Sequence, residues 1–337
     1  MDFSSPSGSY AASPGLHSRA EHHNFSSSPY NYIPTKWIAI MFIVLFGVTS
    51  LLHAAQASYY RMWWLFPTIC LCGILEIIGW SGRLWSSFNP PNPQPFEMQI
   101  TTTILGPTPF LAANFVIFGI IIQRLGTQFS RLSPKWYTIL FCTCDVVSLV
   151  IQGVGGGKAA VPADNGEDPT PGGRVMLGGI SFQLVTISIY ALCSLEYYIR
   201  YFLNKPIRRH DALASSTMST ASSMHTFEEN HKMRDDITLP PQRAPLTKKL
   251  TIMSGALLFS TTCLFIRAIY RLIELSDGWD GRIISTQVYF NVLDATMIVL
   301  TMYTLNFLHP GLLLGAGSGL NHGTLFTKKP TDKNIDA

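Results

Sequence analysis

The chain has 337 residues, 47% of them hydrophobic and only 13% charged, with a formal charge of +4 and a mean hydropathy of +0.23. A soluble globular domain carries about a quarter charged residues, so this composition excludes an ordinary soluble domain and points to an integral membrane protein. The charge excess is small, no nucleic-acid partner is expected, and where the cations fall along the chain matters more than their number.

Residues 1–34 are Ser-rich and dotted with Pro, with no cationic stretch ahead of a short apolar core. No cleaved signal peptide is expected there, and the segment reads as a disordered extracytoplasmic tail. It holds the chain's single N-x-Ser/Thr tripeptide, Asn24-Phe25-Ser26, which makes Asn24 the glycosylation candidate. Seven runs of spanning length follow, over 37–53, 63–85, 99–123, 136–153, 175–201, 250–272 and 284–308. The expected fold is an all-α bundle of seven transmembrane helices across residues 35–311. Trp37, Trp63, Trp64, Trp85, Trp136, Tyr137, Tyr197 and Tyr198 stand near run ends, as interfacial belts do. Pro67, Pro107 and Pro109 interrupt the second and third runs, breaks tolerated where neighbouring helices satisfy the backbone again.

Loop charges give the orientation. With the N-terminus outside, roughly sixteen Lys/Arg fall on the cytoplasmic side against seven outside, a positive-inside bias for N-out, C-in. The sequon and the acidic 164–168 segment agree. The loop over 204–249 is rich in Ser and Thr and mixed in charge, and reads as a disordered cytoplasmic linker open to phosphorylation. Residues 312–337 form a cytoplasmic tail without a lipidation motif.

Several ionisable and amide residues stand where a lipid-facing helix would not tolerate them. Arg267, Arg271 and Glu274 at i, i+4 and i+7 share one face of the sixth run, and Asp294 lies inside the seventh. A charge at the bilayer centre costs at least about 2.5 to 3.5 kcal/mol, so these groups should face other helices or a cavity. Glu76 and Arg83 share a face of the second run but stand about 10.5 Å apart along it, so each is expected to pair with another helix. Gly79 and Gly82 between them would let a neighbour pack closely. Asp145 and Gln152 repeat the seven-residue spacing on the fourth run, Gln183 and Glu196 lie on the fifth, and His53 on the first.

With N-out depth, Glu76, Arg83, Gln152, Gln183, Arg267, Arg271 and Asp294 fall in the outer half and Asp145 near the middle. Two readings stay open: a polar chamber towards the outer leaflet, or buried ion pairs and amide bonds that hold the bundle together.

Gly153-Val154-Gly155-Gly156-Gly157-Lys158 fails as a phosphate loop, because Gln152 and Ala159 stand where Gly and Ser/Thr are required. A helix-ending turn is expected there. No cofactor is expected, and no metal site, since no two His residues share a helical face in any run. His309-Pro310-Gly311 reads as the stop of the seventh helix. The six cysteines fall in apolar runs as packing residues. No nucleophile and base pair points to catalysis, so an enzyme is not expected.

Taken together, Glu76-Ile77-Ile78-Gly79-Trp80 with Arg83, Pro107, Asp145, Ser148, Gln152, Gly153, Gly155, Gly178, Gly179, Gln183, Arg267, Tyr270, Arg271, Glu274, Gly278, Tyr289, Asp294, Met297, Asn306 and His309-Pro310-Gly311 resemble the fungal lipid-translocating exporter family, the RTA-like proteins. The likeness covers residues 32–311. Gln287 departs from it, standing where many relatives carry Glu. The resemblance implies a multi-pass protein of the plasma membrane or internal membranes that exports or translocates lipid-like or amphiphilic molecules, sphingoid bases or sterol-like compounds among them, and confers resistance to toxic ones. Membrane lipids or such amphiphiles are the expected partners, with Glu76, Asp145 or Asp294 meeting a cationic head group and Gln152 or Gln183 a hydroxyl or amide. A lipid-sensing seven-helix receptor or regulator of lipid asymmetry is the competing reading. Against it, the third run ends Gln123-Arg124-Leu125 and the seventh lacks Asn-Pro-x-x-Tyr.

Overall fold

The computed structural model describes residues 29–164, 168, 170–207, 245–278 and 281–315. Asn24 and most of the N-terminal tail, 208–244 of the long loop, and 316–337 of the C-terminal tail lie outside the described residues.

Every regular element among the described residues is helical. Seven helical spans are long and apolar enough to cross a membrane: Lys36–Tyr59, Trp63–Ser86, Gln94–Leu125, Pro134–Ala159, Thr170–Phe202, Lys248–Ser276 and Gln287–Leu313. The shortest has 24 residues, about 36 Å of helix against a hydrocarbon core of about 30 Å. Consecutive spans pack side by side and the seventh returns to the first. The third touches the second, fourth and sixth and is the most enclosed, with 78% of its most apolar stretch buried. It is therefore the axis to which polar groups on other spans can bond.

The bundle turns its polar side inward. On the first span Ala39, Phe42, Phe46, Ser50, His53 and Ala57 recur at three- and four-residue steps and are buried, while Trp37, Ile40, Val44, Val48 and Leu51 are exposed. Lipid is as apolar as leucine, so close packing and interhelical hydrogen bonds hold such helices together.

Glycines permit that packing. A Cβ on Gly79 would lie 2.6 Å from Thr103 Cγ2, and one on Gly82 2.7 Å from the Pro95 carbonyl oxygen, so both admit the third span as the sequence predicts. The glycine run at 153–158 departs from expectation: no turn forms, and the fourth helix continues to Asp164. In apolar surroundings a broken backbone ladder has no water to bond, and that penalty outweighs glycine's freedom. Gly155 instead makes room for the fifth span, since a Cβ there would stand 2.3 Å from the Met176 backbone nitrogen.

Pro107 likewise fails to break the third span. Gly106 stays right-handed helical (φ −50°, ψ −49°), donates to the Thr102 carbonyl at 2.8 Å, and Pro107 takes a first-turn position that needs no N–H donor. Real ends use ordinary chemistry. The Thr247 hydroxyl accepts from the Leu250 N–H at the start of the sixth span. Gly126 (φ +130°) and Gly278 (φ +83°) follow the third and sixth in conformations that favour glycine. Two π-helical turns, Phe66–Cys70 and Phe290–Ala295, lie inside the second and seventh spans.

Candidate functional site

The densest polar cluster lies in the half of the bundle nearer Lys36, between the second, third, sixth and seventh spans. Arg267, Arg271 and Glu274 lie on one buried face of the sixth helix, and Asp294 is fully buried in the π turn of the seventh. Such turns recur at functional sites because the extra residue re-aims the helix face. Here Thr296 Oγ1 donates to the Asn291 carbonyl five residues back at 2.8 Å.

Arg271 binds Asp294 through two parallel bonds, Nε to Oδ1 and Nη2 to Oδ2, both 2.8 Å. Its Nη1 donates to Glu274 Oε2 at 2.8 Å, and Nη2 also reaches Thr103 Oγ1 at 2.8 Å. Glu274 Oε1 accepts from the Tyr270 hydroxyl at 2.8 Å. Arg267 Nε stands 2.8 Å from Asp294 Oδ1 with its N–H poorly aligned, so this contact is Coulombic, while its Nη2 donates to the Thr103 carbonyl. Two arginines and two carboxylates thus neutralise one another around Thr103 of the central span. Removing one member of such a buried set strands its partner at a cost of about 3 to 5 kcal/mol.

Arg83, 1% exposed, joins from the second span with neutral partners. Nη1 donates to Gln99 Oε1 at 3.2 Å and Nη2 to the Tyr32 hydroxyl. Its guanidinium lies 4.7 Å from the Phe290 ring centre, and that of Arg271 lies 5.0 Å from the same ring. Desolvated contacts of this kind contribute about 2 kcal/mol. Tyr32, Gln99, Phe290 and Glu274 line a cavity here of about 10 Å³, room for roughly one water.

Two buried carboxylates form no ion pair or hydrogen bond with the arginines among the described residues. Glu76 is fully buried midway along the second span, and neither of its oxygens has a hydrogen-bond partner among the described residues. It faces Gly106, whose Cβ, if present, would lie 2.7 Å from Oε1, and the charges acting on it are those of Asp294, Arg267 and Arg271. The expectation that Glu76 and Arg83 each pair with another helix therefore holds for Arg83 and fails for Glu76. Asp145, 2% exposed on the fourth span, also has both oxygens unpartnered among the described residues.

Gln152 and Gln183 form a separate amide relay. Gln152 Nε2 donates to Gln183 Oε1, and Gln183 Nε2 to Thr108 Oγ1, both at 3.1 Å. Glu196 sits at the opposite end of the bundle in a half-exposed cluster with Arg131 and Arg200. Gln287 accepts from the Thr35 hydroxyl at 3.0 Å, a bond a Glu could also accept, so the departure at this position preserves a tie between the first and seventh spans. Between the fifth and sixth spans a mostly apolar groove of about 300 Å³ opens sideways, lined by Leu192, Tyr198, Leu257, Thr261 and Phe265 among others.

The structure thus unites Arg267, Arg271, Glu274 and Asp294, with Arg83 beside them, and leaves Asp145 and the Gln152–Gln183 relay separate. Sequence reasoning missed Thr103, Gln99, Tyr32, Thr108 and Phe290. Tyr32 lies ahead of the first span and the others are neutral residues common in apolar spans, so they carry no signal of their own; Gly79, which faces Thr103, and Gly82, which faces Gln99, were the indirect pointers.

This is a polytopic seven-helix membrane protein whose interior holds a neutralised charge network and two free carboxyl groups. Residues 69–316 match the model of a family described as RTA1 like protein. The chain is 30% identical over 289 residues to a Saccharomyces cerevisiae protein named sphingoid long-chain base transporter RSB1, covering 83% of this chain and 72% of that one. It is 24% identical to protoporphyrin uptake protein 1 (81% and 89% covered) and 23% identical to protein RTM1 (80% and 88%), both from the same yeast. The chain belongs to the RTA1-like family. No solved structure matches it.

Proposed function

We propose that this protein translocates long-chain cationic amphiphiles of the sphingoid-base type across the bilayer, with Glu76 receiving the ammonium group. One observation carries the reading: of the four carboxylates buried among the described residues, Asp294 and Glu274 are neutralised by arginine, whereas Glu76 near them is fully enclosed and has no hydrogen-bond partner among those residues. A carboxyl group in that position exchanges a proton for a cation, and an ammonium head group supplies both charge and donors. Asp145 is the second cation acceptor, and the Gln152–Gln183 relay serves a hydroxyl or amide of the head group. The hydrocarbon chain stays in the lipid, alongside the apolar groove. The names of two relatives, a long-chain base transporter and a porphyrin uptake protein, support carriage of amphiphiles and not enzymatic turnover.

The loop charges support an N-out, C-in orientation, with the Glu76 layer nearer the outer leaflet. Export from the plasma membrane then gives resistance to toxic amphiphiles. Without a recognised nucleotide motif, movement would draw on the amphiphile's own gradient, on a proton cycle through Glu76, Asp145 or Asp294, or on a partner.

A lipid-sensing role is the second reading, favoured by the small cavity beside the charge network, about 10 Å³, which is too small for a head group. Liposomes containing the purified protein separate the two. With fluorescent sphinganine, a neutral sterol and an anionic fatty acid of matched chain length, a translocator moves the cation fastest. Binding without movement would establish the sensor, and equal movement of all three would remove the carboxylate from the account.

A further inference from the structure

The first and seventh spans meet a second time at the end of the bundle away from Lys36, some 18 Å along the seventh helix from Asp294 at 1.5 Å per residue from 294 to 306. Here His53 is fully buried and His309 is 2% exposed, with ring centres 6.4 Å apart. His53 Nε2 lies 3.0 Å from the Met302 carbonyl oxygen. A carbonyl only accepts, so Nε2 carries the proton and Nδ1 presents a bare lone pair. His309 Nδ1 accepts from the Gly311 N–H at 3.0 Å, so the proton of the neutral ring is on Nε2. Those two remaining atoms, an acceptor on one ring and a donor on the other, are both buried and without partners among the described residues.

The amides on either side repeat the pattern. Gln56 Nε2 donates to the Asn306 backbone carbonyl at 3.0 Å, and Asn306 Nδ2 donates to the Thr49 hydroxyl, which fixes both amide orientations. Gln56 Oε1 and Asn306 Oδ1 are left as further bare acceptors. A lone orphaned atom is a common imperfection, but three acceptors and one donor left bare on one seam describe a site for a group that both donates and accepts. The ring centres stand too far apart for a direct N–H···N bond of about 3 Å, yet one oxygen atom could be reached from both rings.

We propose that His53 and His309 form a hydroxyl-binding site. Its ligand is an O–H group that donates to His53 Nδ1 and accepts from His309 Nε2–H. A metal ion does not suit it, because His309 Nε2 carries a proton while Nδ1 caps Gly311. The hydroxyl comes either from water or from the head group of an amphiphile. The water source stands independently of the transport reading, while the head-group source rests on it.

The test is solid-state nitrogen NMR on the full chain, labelled with 15N-histidine in lipid bilayers, with water-to-imidazole transfer measured alone, with sphinganine, and with octadecylamine, which lacks hydroxyls. His309→Asn and His53→Gln assign the signals; Asn keeps an acceptor for the Gly311 N–H and Gln keeps a donor for Met302. The expected result is Nε2–H tautomers for both rings and water transfer to His53 Nδ1. Transfer unchanged by either amphiphile supports the site with water as its ligand. Transfer abolished by sphinganine and not by octadecylamine supports it with the head group as ligand. An Nδ1–H tautomer on either ring, or no hydroxyl contact under any condition, overturns it. Sphinganine that is neither moved nor bound would end the transport reading and leave the water result standing.

Discussion

Adding one methyl group to either of two glycines on the fourth span should have opposite effects. At Gly155 the new Cβ would stand 2.3 Å from the Met176 nitrogen, 2.7 Å from its Cα and 2.9 Å from its Cβ. These are mostly backbone atoms and cannot rotate away, so the fourth and fifth spans must separate by about 1 Å to restore ordinary contact. Overpacking of this kind costs about 1 to 3 kcal/mol, against a helix-propensity gain for alanine of about 0.5 to 1 kcal/mol. Gly155→Ala should therefore destabilise on balance, by about 1 kcal/mol and by no more than about 2.5 kcal/mol. At Gly153 nothing lies within 4 Å of the added atom, so only the propensity gain remains. The assay is the midpoint of heat-induced loss of the monodisperse peak in detergent, which reads kinetic as well as equilibrium stability. Gly155→Ala should fall by a few degrees, and Gly153→Ala should match or exceed the parent. A Gly155→Ala protein as stable as the parent would refute the close approach of these spans, and with it the reason given for glycine at this position.

Two further outcomes rest on side-chain geometry and a third on the orientation proposed from the loop charges. Arg271→Gln and Asp294→Asn should each destabilise by about 3 to 5 kcal/mol, because each strands a buried charge. The double variant should recover part of the summed loss, by about 0.5 to 3 kcal/mol in a double-mutant cycle of melting midpoints. Arg131→Ala, which breaks an exposed ion pair with Glu196, should leave the midpoint unchanged. The N-out orientation predicts that glycosidase treatment of protein from a eukaryotic host shifts its gel mobility, and that Asn24→Gln removes the shift.

Much of this molecule was legible in its sequence because a bilayer enforces simple rules. Seven apolar runs of spanning length could only be helices, and the i, i+4, i+7 spacing placed Arg267, Arg271 and Glu274 on one face before any coordinates. The pairing of that face was not legible. Asp294 meets Arg271 because a π turn carries it there, and no residue pattern announced the turn. Glu76 was expected to find a partner, yet the neighbouring arginines spend their donors on Asp294, Glu274, Gln99, Tyr32 and Thr103, and its oxygens are left without a hydrogen bond among the described residues. The glycine run misled for a physical reason: its meaning in a loop, where water satisfies freed backbone groups, reverses inside a helix pressed against Met176. His53 and His309 lie far apart in sequence and gave no sign of sharing a seam.

The measurement that bears most directly on the central claim is transbilayer movement of fluorescent sphinganine in liposomes containing the purified parent or its Glu76→Gln variant, each first checked for a monodisperse peak and an unchanged midpoint. A charge-assisted bond between ammonium and carboxylate contributes about 1.5 to 3 kcal/mol, so loss of the negative charge should slow movement by about tenfold or more. A folded Glu76→Gln protein that moves sphinganine at the parent rate would contradict the assignment of Glu76 as the acceptor of the cationic head group.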